Sequence, residues 1–142
     1  DGAHWTAGLR RPGGAIHAVA WTGSAFVAVG DGGSVFTSPD GLAWTERSAG
    51  VSESLYGVAW TGSRVVAVGA SGARVESADG VEWAAANSGT SNDLLGVAWT
   101  GGRLLALGRS GTILTSRCDA QAPARLSEGA QPGRSTRVVQ RD

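Results

Sequence analysis

Short runs of apolar and small residues, each closed by a glycine-rich turn, follow one another through most of the chain. The first unit has four such runs, at residues 16–21, 25–29, 34–38 and 42–46. Short β-branched and aromatic runs between Gly, Asp and Ser turns are typical of an antiparallel meander, and such frequent glycines would destabilise helices. The pattern therefore predicts an all-β protein.

This pattern repeats every 39 residues. The segment LYGVAWTG at 55–62 returns as LLGVAWTG at 94–101. The six tryptophans form two columns of the repeat, with Trp21, Trp60 and Trp99 in one and Trp5, Trp44 and Trp83 in the other. A period near 40 residues is typical of propellers and solenoids, and a radially repeated four-stranded meander is a propeller blade. We predict three four-stranded blades at about residues 15–48, 54–87 and 93–117, with the tryptophans in the core between blades.

The turn after the third run of a unit resembles a known motif. SPDGLAW at 38–44 and SADGVEW at 77–83 resemble the Asp-box, or BNR, repeat of sialidase-like β-propellers, and DGAHW at 1–5 is similar to the remainder of another copy. Because Gly directly follows Asp, each copy is one residue shorter than the usual motif. This shorter form is similar to the repeats of photosystem-assembly-type propellers. The resemblance covers about the first 117 residues and implies a propeller fold.

The residues of this turn are predicted to be structural. The Asp side chain can accept backbone N–H bonds, Gly supplies a positive φ and Trp packs on the neighbouring layer. These structural residues are Asp1, Asp40, Asp79, Trp5, Trp44 and Trp83. The resemblance implies that such turns lie on the face away from the substrate. Sialidase activity is not expected, because it needs an arginine triad and a Tyr–Glu pair, and the chain has a single tyrosine, Tyr56.

The repeat is incomplete at both of its ends. Residues 3–7 match a fourth strand without a blade, the last blade has three strands, and Cys118 stands where the repeat expects its next Asp. Propellers have about four to eight blades, so three blades do not close a ring, whereas two copies supply six. We predict a homodimeric six-bladed propeller in which residues 3–7 complete the partner's last blade. The alternative is a fragment of one longer propeller.

Composition narrows the classes of function. The chain of 142 residues has 12 basic and 12 acidic residues, and this zero net charge argues against a nucleic-acid partner or an anionic membrane surface. No apolar run approaches the roughly 18–20 residues of a membrane helix, and one Cys excludes a disulfide framework. Residues 118–142 leave the repeat and lack aromatic residues, which predicts a flexible tail. No Met or charged leader precedes Asp1, so the compartment is unknown, and a secreted or periplasmic location of a bacterial-type protein stays open.

Ligand contacts are expected where the three units differ from one another. Propeller ligands usually bind where loops enter the innermost strands and where loops join the second and third strands. The candidates at these places are Tyr56, Asp31, Arg109, Arg10 and Asn92. We predict a binding module that presents a polar tunnel mouth to a glycan, a peptide or a small molecule.

His17 is the candidate for catalysis. Neutral imidazole ligates zinc and other divalent metals and serves as a general base near neutral pH. Two symmetry-related copies of His17, with an acidic residue from Asp31, Glu53 or Asp93, are predicted to hold a metal, and the ligand set named first is His17, Glu53 and Asp93. Water bound to that metal would attack an ester or a phosphoester. The alternative function is therefore a metal-dependent hydrolase with a divalent metal such as zinc. The alternative role of His17 is packing against the next blade, and whether the chain is an enzyme stays open.

Overall fold

Three antiparallel β-sheets follow one another along the chain in the computed structural model, which describes residues 2, 4–8 and 14–117. Sheet 1 contains β1 (Ile16–Trp21), β2 (Phe26–Gly30), β3 (Ser34–Ser38) and β4 (Thr45–Ser48). Sheet 2 contains β5 (Leu55–Trp60), β6 (Val65–Gly69), β7 (Arg74–Ser77) and β8 (Ala84–Ala85). Sheet 3 contains β9 (Leu94–Trp99), β10 (Arg103–Gly108) and β11 (Ile113–Arg117). The described residues form no α-helix, so the all-β prediction is confirmed.

Two predicted strands begin later than the sequence pattern indicates. The run predicted at 42–46 becomes a strand at Thr45, because the backbone N–H groups of Leu42 and Ala43 donate to the Asp40 carboxylate and are held in a turn. The run predicted at 25–29 starts at Phe26. The predicted strand at 3–7 is absent from its described part, residues 4–7, which pair with no strand of the described chain. A strand needs a neighbour for its hydrogen bonds, and the described strands of one copy supply none for this segment.

A single turn of 3₁₀-helix joins the second and third strands of each sheet, a feature that the sequence pattern predicts only as a hairpin turn. These turns are Asp31–Gly33, Ala70–Gly72 and Arg109–Gly111. In each, the middle residue has left-handed backbone angles, with a φ of 66° at Gly32 and 57° at Ser71. The fold thus accepts serine as well as glycine at this position.

The sheets stack face to face, and their apolar faces form the core. A fully buried cluster lies between sheets 1 and 2 and includes Val27, Val35, Leu55 and Val75. A second cluster lies between sheets 2 and 3 and consists of Ala59, Val66 and Leu104, with Val97 and Trp99 packed against it. The first strands of sheets 2 and 3 come so close that a Cβ on Gly57 would lie 3.0 Å from the Gly96 Cα.

The tryptophans differ from the prediction that all six lie in the core between blades. Trp60 and Trp83 pack against the cluster between sheets 1 and 2, and Trp99 packs against the next one. Trp21 is 48% exposed on sheet 1, and Trp5 is 91% exposed. The difference arises because no described sheet covers the face of sheet 1 on which Trp21 lies, and because Trp5 belongs to none of the described sheets.

The strand register separates two ends of the stack. Ile16 pairs with Gly30, so the start of the first strand lies beside the 3₁₀ turn, at what we call the mouth end. Trp21 pairs with Phe26, which also pairs with Ser38, so the turn between the third and fourth strands lies at the opposite end, which we call the box end. The described residues include no helix that is long and apolar enough to span a membrane.

Candidate functional site

The Asp31 carboxylate joins three parts of the chain at the mouth end. His17 Nε2 donates to Asp31 Oδ1 at 2.7 Å, and the Ser54 hydroxyl donates to the same oxygen at 3.3 Å. The backbone N–H of Ala15 donates to Oδ2 at 2.9 Å. His17 and Ser54 enter from the first strand of sheet 1 and from the loop before sheet 2, so this network lies across the seam between the two sheets.

The His17 ring also meets Tyr56, the residue at the same repeat position in sheet 2. Their ring centroids are 5.0 Å apart at an interplanar angle of 69°, an edge-to-face contact. His17 therefore contacts the next sheet, as one of the two predicted roles requires.

The next seam has a different pair of charged residues. Arg109 Nε donates to Asp93 Oδ2 at 3.0 Å, and the backbone N–H of Ser71 donates to Asp93 Oδ1 at 2.9 Å. Asp93 occupies the repeat position of Ser54, whose hydroxyl likewise accepts from the Gly32 N–H at 3.2 Å. Both seams therefore use the residue before the first strand to bind the 3₁₀ turn of the preceding sheet.

Hydrogen bonds keep both mouth-end carboxylates charged. The pKa of Asp31 is lowered, first by the N–H of Ala15 and then by His17. The pKa of Asp93 is lowered chiefly by the N–H of Ser71, with a further contribution from Arg109. At neutral pH the mouth end therefore presents two ionised acceptors, one beside an imidazole and one beside a guanidinium.

The predicted metal ligands do not come together in one copy. His17 is paired with Asp31 rather than with Glu53 or Asp93, and Asp93 is paired with Arg109. Within the described residues, no three His, Cys, Asp or Glu side chains are grouped so as to hold a metal ion. The predicted site draws on two copies, and the described residues of one copy do not form it alone. Ser54 donates to Asp31 and not to His17, so these three residues do not form a nucleophile–base–carboxylate relay either.

The other predicted ligand contacts have separate positions. Asn92 donates from Nδ2 to the Thr112 hydroxyl at 2.9 Å, beside the 3₁₀ turn of sheet 3. Arg10 and Asp1 lie outside the described residues, as does the predicted tail at 118–142. Ser54 was missed by the sequence analysis. The sequence could have indicated Ser54 through its repeat position, which is the same as that of Asp93. Serine is so common in the turns of this chain that the residue did not stand out.

At the box end, the two Asp side chains organise tight turns. Asp40 Oδ1 accepts from the N–H groups of Leu42 and Ala43 at 2.9 and 3.1 Å, and Asp79 does the same in the second turn. These bonds lower the pKa of both carboxyls. Trp44 and Trp83 close the turns by donating from Nε1 to the carbonyls of the glycines that follow the aspartates.

Comparison with known proteins identifies the fold but not a family. No family model and no curated protein matches the chain. Among solved structures, the chain is similar to YCF48 from Cyanidioschyzon merolae, with 19% sequence identity and a TM-score of 0.61 over 72% of this chain. The fold is a β-propeller fold. The chain spans about a third of that structure's length, since the match covers 34% of it.

Proposed function

We propose that this chain is a self-assembling propeller module in which two copies form a six-bladed ring, and that the mouth end of the ring binds a hydroxyl-rich ligand such as a glycan. The observation that carries the binding function is the His17–Asp31–Ser54 network. It places charged and polar side chains at a seam between blades, in positions where the three repeats differ from one another.

The chemistry of the mouth end suits a polyol. Asp31 and Asp93 are ionised acceptors for ligand hydroxyls, and the Arg109 side chain, which is 68% exposed, is a donor beside them. Tyr56 and His17 add aromatic rings, and the C–H groups of a sugar can pack against an aromatic face. A few convergent polar groups beside an aromatic surface are the usual composition of a small-molecule site.

Ring formation is supported by the outer faces of the stack. On sheet 1, Val19 is 59% exposed, and on sheet 3, Leu107 and Ile113 are 57% and 71% exposed. The corresponding faces inside the stack are covered by a neighbouring sheet and are largely buried. A second copy that stacked sheet 1 on sheet 3 at both junctions would cover these residues and supply the six blades of a propeller. Each mouth-end group would then occur twice around one axis.

A glycan-binding screen with paired variants tests the binding function. We expect the wild-type protein to bind members of a panel of neutral and acidic oligosaccharides, followed by calorimetry on the best of them. Arg109→Ala and Tyr56→Leu, which introduces the residue that position 95 already has, should weaken that affinity about tenfold or more. Arg103→Ala is the matched control, since this exposed arginine lies at the box end, and it should leave the affinity within about twofold.

Two results would contradict this function. One is a folded wild-type protein that binds no member of the panel. The other is equal loss of affinity in Arg109→Ala and Arg103→Ala, since a nonspecific charge effect and not a site at the mouth end would then explain the binding.

A further inference from the structure

A cavity of about 360 Å³ lies between sheets 2 and 3. Its walls repeat the core of the previous seam: each of the eight residues in the buried cluster between sheets 1 and 2 has its counterpart, 39 residues later, on the wall of this cavity. Val27 and Leu55, for example, correspond to Val66 and Leu94. The same positions thus make a filled core at one seam and a hollow one at the next.

The residue that fills the first seam is missing from the second. Trp83 packs against the cluster between sheets 1 and 2, and a Cβ on Gly80 in the same turn would lie 3.3 Å from the Val27 side chain. The position that corresponds to Trp83 in the third repeat is Ala122. An alanine carries no side chain of the size that the first seam uses, so the indole site of the third sheet has no occupant from its own repeat.

Trp5 belongs to the same column of the repeat and is largely uncovered by the described residues of its own copy. It lies 117 residues, three whole periods, before position 122. Gly2 has a φ of +76°, close to the +83° and +81° of the glycines in the two complete box turns, so the turn before Trp5 has the same local shape. A Cβ on Gly8 would clash with the Gly41 carbonyl oxygen, so this segment passes close to the turn between β3 and β4, while Trp5 is 91% exposed.

We infer that the cavity between sheets 2 and 3 is the socket for Trp5 of a second copy. This inference rests on the proposed self-assembly and adds the contact that would hold the ring together. When sheet 1 of one copy stacks on sheet 3 of the other, the turn before Trp5 stands at the repeat position where the third unit has Cys118 in place of the Asp of the box sequence. The residues after Trp5 then run along β11, which has a free edge among the described strands.

The socket is lined by one charged residue at a position where the filled seam has an apolar one. Arg74 occupies the repeat position that Val35 has in sheet 1. Its side chain is 26% exposed, donates to the Asn87 carbonyl and forms an ion pair with Glu76. An indole entering between Leu104 and Leu114 would lie beside this guanidinium, and a cation over an aromatic face is a favourable contact. The socket therefore suits tryptophan in particular rather than any apolar side chain.

Complementation between two variants tests the socket. Trp5→Ala removes the plug and keeps the socket, whereas Ala106→Trp fills the socket and keeps the plug; Ala106→Phe is the milder form if the larger side chain impairs folding. Each variant alone should raise the dimer dissociation constant about thirtyfold for each of the two sockets, as loss of a buried anchor does. An equimolar mixture of the two variants retains one intact plug and socket per heterodimer. Sedimentation should therefore show dimers in the mixture at concentrations where each variant alone is monomeric.

The outcomes separate this inference from the proposed assembly. If the wild-type chain is monomeric at all accessible concentrations, both fail. If it is dimeric and the mixture shows no complementation, the assembly stands and the socket is wrong. If deletion of residues 122–142 opens the dimer while Trp5→Ala does not, the tail occupies the cavity, and the inference is likewise overturned.

Discussion

At the scale of single residues, the Asp31 carboxylate organises the mouth end because it accepts from one backbone N–H and two side chains. The sequence identified Asp31 and His17 as candidates and offered Asp31 as one acidic partner of His17 at a metal, but it did not predict the direct hydrogen bond between them. That bond lies at the start of β1, where the register with β2 shifts between Ile16 and Ala18, and the pattern of side chains does not specify such an irregularity. The same limit explains why His17 was grouped with Glu53 and Asp93.

The lowered pKa values predict how stability depends on pH. Asp31, Asp40, Asp79 and Asp93 all have a lower pKa in the folded chain than the ordinary 3.8, so folding favours their charged forms. Their contribution to the free energy of unfolding is complete above that pH and is lost as the pH falls through the lowered folded values. We expect urea denaturation to give a constant free energy above about pH 5 and a steep decline below about pH 4.

Asp40→Asn isolates one of these groups. Asn keeps an acceptor oxygen for the turn but does not titrate, so this variant should have a melting temperature a few degrees lower at pH 7 and a smaller loss of stability in acid. Glu46→Gln, an exposed change on the adjoining strand, is the control. Affinity at the mouth end should be unchanged in both variants, because the turn lies at the box end. A loss of ligand affinity in folded Asp40→Asn would place part of the site at the wrong end of the stack.

Trp60 tests the packing between sheets. It is half-buried and packs on the cluster between sheets 1 and 2, so Trp60→Ala should lower the free energy of unfolding by about 3 kcal/mol, the lower end of the range for buried aromatic residues. Trp5→Ala is the matched control and should change the stability of the monomer by less than about 0.5 kcal/mol. Denaturation at concentrations that exclude self-association makes the comparison. Equal effects of the two substitutions would contradict this assignment of the core.

At the scale of elements, the strands were the part most readily predicted from sequence. β1 and β3 have the predicted bounds, because an apolar run between two turns specifies a strand directly. The fourth strands were predicted less well, since the Asp turn extends farther than its polar residues suggest and β8 is only two residues long. The 3₁₀ turns were missed because glycine-rich loops fit several turn geometries equally well.

Close approach of backbone predicts which glycines are essential. A Cβ on Gly69 would lie 1.9 Å from the Ser54 carbonyl oxygen, whereas a Cβ on Gly102 would meet nothing within 4 Å. Gly69→Ala should therefore lower the free energy of unfolding by about 3 kcal/mol or leave the chain unfolded, while Gly102→Ala should be nearly neutral. Thermal unfolding of the two variants measures this difference in stability. A Gly69→Ala protein as stable as the wild type would show that the end of β6 and the loop at Ser54 can move apart at little cost.

At the scale of the whole molecule, the chain is a stack of sheets with two unequal outer faces. The propeller fold could be predicted because a 39-residue period and two columns of tryptophan specify one four-stranded unit. The structure at the two ends of the stack could not be predicted from the repeat in the same way. The sequence placed residues 3–7 in a strand that completes a partner's blade, and residues 4–7 belong to none of the described sheets of one copy.

Mass measurement tests the assembly. Light scattering should give twice the 14.3 kDa of one chain at micromolar concentrations, and deletion of residues 1–8 should return the protein to a monomer. Deletion of residues 122–142 is the control for shortening and should leave the mass at two chains. A compact wild-type monomer would instead favour the reading of this chain as part of a longer propeller.

The bond between each 3₁₀ turn and the loop before the first strand of its sheet uses backbone atoms alone. The N–H groups of Asp31, Ala70 and Arg109 donate to the carbonyls 16 residues earlier at 3.0, 2.9 and 2.9 Å, whatever side chain is attached. Mutation at these positions can therefore alter recognition and leave this backbone bond in place, although a change at Asp31 or Arg109 also removes the side-chain bond to Ala15 or Asp93. A lineage built on this repeat can diversify its specificity through point substitutions, and randomised libraries at positions 31, 70 and 109 should yield a high proportion of folded clones.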